Sequence, residues 1–215
     1  NKIMCYLDYS IGVGPAMKET STFNQALKNF FESRSVEYFR IGEQDTAQPI
    51  EDINSAEASF DNLNNYTDRG SKLGVAIDAC VNNKTAQSIF ISDFERVDDA
   101  DHLVPQAGFE EQPHPIKIEA WATRQFKNWL QSGNQLDIYC YPYSRPDAWF
   151  DKSNSTPKPT YPNHLYTIVF TPKPLIEDNS NVISYLNEKV LEFPEFQHYE
   201  FNLNGIRKEV NHTTA

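Results

Sequence analysis

Apolar positions along this chain come in two kinds of block. Short unbroken runs read as buried strands, and stripes spaced three and four apart read as helices lying on them. Ile3 to Leu7 is the first run; it ends at Asp8-Tyr9-Ser10, and Gly12 and Gly14 break the pattern behind it. Phe23, Ala26, Leu27, Phe30 and Phe31 then recur at helical spacing, with Ser21 or Thr22 placed to cap them. Val36 to Ile41 is a second strand, closed by Gly42, and the acidic, Asn-rich stretch from Glu43 to Asn65 predicts loop with at most a short helix. Leu73, Ala76, Ile77, Cys80 and Val81 restore the helical stripe, and Ser88 to Ser92 is a compact strand ending at Asp93. A polar insertion from Phe94 to about Ile118 separates it from a helix marked by Trp121, Gln125, Phe126, Trp129 and Leu130, which Gly133 stops. Leu136 to Tyr141 and Leu165 to Phe170 are strands flanking a segment, Ser144 to Asn163, whose four prolines forbid regular structure over its length. Val182 to Phe193 is amphipathic, and Tyr199, Phe201 and Leu203 alternate with polar residues as an edge strand or a lead into a tail would.

Strands separated by helices imply parallel pairing with both sheet faces covered. The expected fold is therefore α/β, a doubly wound, mostly parallel, Rossmann-like sheet with helices on both faces. It spans residues 1–195, with 196–215 as an edge strand, linker or tail. In such a sheet ligands bind beyond the carboxyl ends of strands, where strand order reverses. Asp8 and Ser10 follow the first strand, Asp93 follows the Ser88–Ser92 strand, and both long polar insertions leave carboxyl ends too. Polar side chains and long loops are thus expected at one edge.

Composition narrows the function classes. With 30 acidic against 19 basic side chains the chain carries a formal charge of -11, the opposite of a nucleic-acid footprint. No apolar run has the length of a membrane span. The aromatic content supplies a real core, which excludes a disordered chain, and three cysteines are too few and odd in number to form a disulfide scaffold. Cys5, Cys80 and Cys140 each sit in an apolar pattern and read as buried, unreactive thiols. The sequence opens at Asn1 without a basic or apolar leader; the expected home is the cell envelope or the extracellular space, with the cytoplasm as the alternative. The Asn-x-Ser/Thr triplets at Asn65, Asn83, Asn154 and Asn211 are at the level chance gives an Asn-rich chain.

Three segments carry candidate chemistry: Asp8-x-Ser10-x-Gly12, Ser71 just before a helix, and Asp93 at a strand end. Two carboxylates and two hydroxyls are hard oxygen donors suited to a magnesium-like ion. Read plainly, the acids are strand-end carboxylates taking up loop amides, and the serines are turn and helix caps. The stretches Leu7-Asp8-Tyr9-Ser10-Ile11-Gly12, Ser71-Lys72-Leu73-Gly74-Val75-Ala76-Ile77 and Ile89-Phe90-Ile91-Ser92-Asp93-Phe94, in this order, resemble the von Willebrand factor type A domain and its metal-ion-dependent adhesion site. That family reads Asp-x-Ser-x-Ser after strand one, a Thr before a main helix, and Thr/Ser-Asp-Gly after an apolar strand. The resemblance covers roughly residues 2 to 193 in element order. It implies a non-enzymatic, adhesion-type domain that holds a protein or polymer partner through Mg2+ or another divalent cation, with Asp8, Ser10, Ser71 and Asp93 as its metal ligands. Gly12 stands where the family has its second Ser, Ser71 where it has Thr, and Phe94 where it has Gly. The first change removes a donor, which leaves a scaffold with a decayed metal site as the alternative.

Other features point less far. Arg145, Trp149 and Phe150 in the Pro-rich insertion form a candidate partner-binding patch, or a cluster pinning that loop. Asp98-Asp99-Ala100-Asp101-His102 reads as a solvated loop, and His102 and His114 are too far apart to read as a zinc pair. Gly12-Val13-Gly14 lacks the third glycine of a dinucleotide loop. A metal-assisted hydrolase is the enzymatic alternative, but Asp8-Tyr9-Ser10 is not the Asp-x-Asp of phosphoryl-transfer nucleophiles, and no Gly-x-Ser-x-Gly elbow is present.

Overall fold

A computed structural model of the chain describes residues 2–19, 21–68, 70–94, 118–145, 161–178, 182–189, 197–201 and 207–209. Among these, the strands are β1 (Lys2–Asp8), β2 (Ser35–Ile41), β3 (Gln48–Ile50), β4 (Gln87–Ser92), β5 (Gln135–Arg145), β6 (Tyr161–Thr171), β7 (Gln197–Phe201) and β8 (Arg207–Glu209). The helices are α1 (Val13–Glu19), α2 (Ser21–Glu32), α3 (Ile53–Ala58), α4 (Leu73–Asn82), α5 (Ile118–Gln131) and α6 (Val182–Lys189). The strands form one mixed sheet in the order β3-β2-β1-β4-β6-β5-β7-β8.

Alternation along the strands divides the core into two layers. Ile3, Cys5 and Leu7 of β1, with Ile89 and Ile91 of β4, face α1, α2, α3 and α6 through Val13, Met17, Leu27, Phe31, Ala56, Val182 and Leu186. Tyr6 and Phe90, one residue out of phase, face α4 and α5 through Ala76, Ile77, Cys80, Trp121 and Trp129. Helices therefore cover both faces, as the patterning requires. All three cysteines are buried and free, and burial pushes the Cys140 thiol up to about 11.

The expectation of a mostly parallel sheet holds only for one part. β1 pairs in parallel with β2 and with β4. Beyond β4 the pairings described are antiparallel, with β6 lying between β4 and β5. The cause is local. β5 and β6 are consecutive among the described strands and lie side by side in the sheet, where they pair antiparallel. Their register runs unbroken from Gln135↔Thr171 to Arg145↔Tyr161, so both strands extend into what reads from its prolines as an irregular segment. At the far side β7 is an inner strand, because β8 pairs along it.

Two shorter elements also depart from expectation. Gly12, Gly14 and Pro15 do not break the chain; α1 begins at Val13, with Gly14 and Pro15 in its first turn, where a proline's missing N–H has no helical partner to lose. That turn packs beside Tyr66, whose Cβ lies 3.4 Å from where a side chain on Gly14 would begin, an ordinary contact distance. Within the stretch expected to be loop, β3 adds antiparallel to β2, and α3 is capped by Asp52, which accepts from the Asn54 and Ser55 amides.

Candidate functional site

After β1 the chain moves outward to β2, then returns across β1 to form β4. Strand order thus reverses between β1 and β4, and two neighbouring parallel strands end there together. Leu7 pairs with Ile91, so the next residues outward, Asp8 and Ser92, lie side by side. By alternation both belong to the face of Tyr6 and Phe90, the face that α4 covers. Ser71 arrives at the same place because it precedes α4.

The Asp8 carboxylate is only 1% exposed and is surrounded by donors. Its Oδ1 accepts the Ser10 amide at 2.8 Å, and its Oδ2 accepts the Ser92 hydroxyl at 2.6 Å. Ser10 and Ser71 also lie near enough for their side chains to lower its carboxyl. Burial raises the carboxyl above the ordinary range, and these hydrogen bonds oppose that rise without cancelling it. Ser92 in turn accepts the Phe94 amide at 2.9 Å. Asp93, one residue beyond Ser92, is itself buried.

Asp8 and Ser10 therefore meet in one hydrogen-bonded cluster with Ser92, and Ser71 lies beside it. Asp93 stands next to Ser92, which belongs to it. Capping does not account for Ser71: α4 takes Lys72 as its N-cap residue and has no side-chain cap bond. A strand-like bridge between Ser10 and Asp68 holds the two loops together, with the Asp68 amide donating to Tyr9 O at 3.1 Å and the Ile11 amide to Asp68 O at 2.9 Å. Lys72 N donates to Gly42 O at 2.9 Å, which fixes the residue after Ser71 to the end of β2.

Phe94 is the non-glycine residue with positive φ among those described, at 53°. An L-residue is strained there, and glycine is not. The ring is held in place by Phe90 and Tyr166, at centroid distances of 5.4 and 5.6 Å. The backbone at the position where the type A family has Gly thus has the conformation that glycine favours.

Ser92 was not singled out in the sequence as a site residue. Its signal is a hydroxyl in a strand buried at every position, which must find a partner. A second buried polar group was also missed. His198 of β7 and Asp137 of β5 are 1% and 0% exposed as side chains and meet at 2.8 Å, with the imidazole stacked on Tyr139 at 4.2 Å. Asp137 also accepts from Gln135, and Tyr139 donates to Asn187 of α6. The group joins β5, β7 and α6 inside the core, away from the carboxyl edge of β1.

Of the expected partner-binding residues, Arg145 ends β5, and Trp149 and Phe150 lie outside the described residues, as do His102, His114 and the Asp98–His102 run. Among the described residues no three His, Cys, Asp or Glu side chains gather as a metal cluster. None of their helices is long and apolar enough to cross a membrane. Comparison with protein-family models, curated proteins and solved structures finds no match to this chain.

Proposed function

We propose that the chain is a non-enzymatic interaction domain of the von Willebrand factor type A kind, which holds a protein or polymer partner at the carboxyl edge of β1 and β4. The observation that carries this reading is the convergence of Ser10 and Ser71 on Asp8, from two loops remote in sequence, where strand order reverses. The parallel β2–β1–β4 group, helices on both faces and the glycine-like backbone at Phe94 support it. The antiparallel half of the sheet is a departure from the doubly wound arrangement.

The donor set suits a hard divalent cation such as Mg2+, being made of carboxylate and hydroxyl oxygens throughout. Asp8, Ser10, Ser71 and Asp93 would hold it, with water in the place that Gly12 leaves without a donor. A bound ion would supply positive charge for a carboxylate of the partner to meet. Calorimetric titration with Mn2+ or Mg2+ tests this: the wild-type chain is expected to give binding heat and Asp8→Ala none. Absence of heat from the wild type at millimolar ion removes the cation from the reading.

Gly12 and the bulk of Phe94 favour a second reading, a scaffold domain in an envelope assembly whose metal site has decayed. It expects Asp8→Ala to leave partner capture intact and Trp149→Ala to abolish it.

A further inference from the structure

A short polar assembly lies at the ends of β1 and β2, outside the hydroxyl cluster. Arg40, the next-to-last residue of β2, pairs with Asp68 at 2.5 Å, and its guanidinium lies 4.9 Å from the centre of the Tyr9 ring. Asp68 is the residue whose amide and carbonyl bond to Tyr9 and Ile11, on either side of Ser10. Gly42 completes it: a Cβ there would stand 1.9 Å from Asp68 Oδ2 and 3.0 Å from its Cγ. That carboxylate has little room to retreat, since its other oxygen is paired to Arg40 and its backbone is bridged to the Ser10 loop.

We infer that Arg40, Asp68 and Gly42 form a positioning clamp that sets Ser10 and Ser71 against Asp8, and that cation affinity at the site depends on it. Arg40 grips both loops at once, Tyr9 by its ring and Asp68 by its carboxylate. Asp68 carries the clamp into the backbone on both sides of Ser10. Ser71 is held from the same direction, three residues after Asp68, with Lys72 bonded to Gly42 O. Gly42 is glycine because the Asp68 carboxylate occupies the space a side chain would need. None of the three donates to the Asp8 carboxylate, so each acts through Ser10 and Ser71. The cation part of this inference rests on the function proposed above; the positioning part does not.

A double-mutant cycle tests it, read by Mn2+ titration and, without metal, by the NMR shift of the Ser10 amide proton that Asp8 accepts. Supporting groups behind metal ligands commonly alter affinity about 10- to 100-fold. Asp68→Ala and Gly42→Ala are each expected to weaken Mn2+ binding by about 10-fold or more and to move the Ser10 amide resonance. In the Asp68→Ala background Gly42→Ala is expected to add nothing, because the carboxylate it would strike is gone. Asp68→Asn, which keeps the shape and loses the charge, serves where Asp68→Ala unfolds. A folded Asp68 variant with wild-type Mn2+ affinity and an unmoved Ser10 amide overturns the clamp. So does a Gly42→Ala effect that is fully additive. Should the wild type bind no Mn2+, the proposed function fails, and the amide shifts alone decide the positioning.

Discussion

At position 94 glycine is expected to be more stable than alanine, reversing their usual order. Phe94→Ala deletes the ring that packs on Phe90 and Tyr166 but keeps a Cβ at φ 53°. Phe94→Gly deletes the same ring and relieves the strain. A left-handed L-residue costs about 1–2 kcal/mol. The freer unfolded chain of a glycine variant takes back about 0.4–1 kcal/mol. The glycine variant should therefore exceed the alanine variant by about 0.5–1 kcal/mol, while both fall below the wild type for want of the ring. In a chain of 215 residues that difference is about 1–4 °C in melting temperature. Urea unfolding of the three proteins in one buffer measures it directly. An alanine variant equal to or more stable than the glycine variant would show that Phe94 bears no left-handed strain, and would remove one support for the family-like backbone beside Asp93.

Asp8→Asn addresses the buried carboxyl. Burial raises the folded-state value of Asp8 above its unfolded value, so the favourable contribution is complete below the unfolded value and is lost as pH rises through the folded one. Without metal, the asparagine variant should gain stability relative to wild type as pH rises from the ordinary aspartate range towards neutrality, in paired thermal melts; a constant difference across that range contradicts the assignment. Asp137→Ala removes the carboxylate that buried His198 meets, and a loss of about 2–4 kcal/mol is expected in urea unfolding. Faster amide exchange along β7 should accompany it, and unchanged stability would mean that the pair contributes nothing to docking that strand.

The elements were legible where a single period governs a segment. Leu73 to Val81 and Ser88 to Ser92 could be read as helix and strand because each buries one continuous face or both. Strand partners were less legible. Nothing local in Leu165 to Phe170 states that it pairs with β4 on one side and β5 on the other. α1 was hidden because Gly12, Gly14 and Pro15 signal a break, and here Gly12 precedes a helix whose first turn holds Gly14 and Pro15. At the site, Asp8, Ser10 and Ser71 could be named from motif order. Ser92 could not, since its role follows from lying beside Asp8 across two strands, and Arg40, Asp68 and Gly42 are joined only by the fold.

The place of β6 between β4 and β5 has a consequence for synthesis on the ribosome. The hydrogen-bonded cluster around Asp8 is built from the first 94 residues, yet the described strand that covers the outer side of β4 is complete only at Thr171. Until then a nascent chain carries the free edge of Ser-Ile-Phe-Ile-Ser, a strand rich in aggregation-prone residues. Rare codons or a stalled ribosome between residues 94 and 171 would prolong that interval, so soluble yield should depend on elongation speed there and on chaperones that shield unpaired strands.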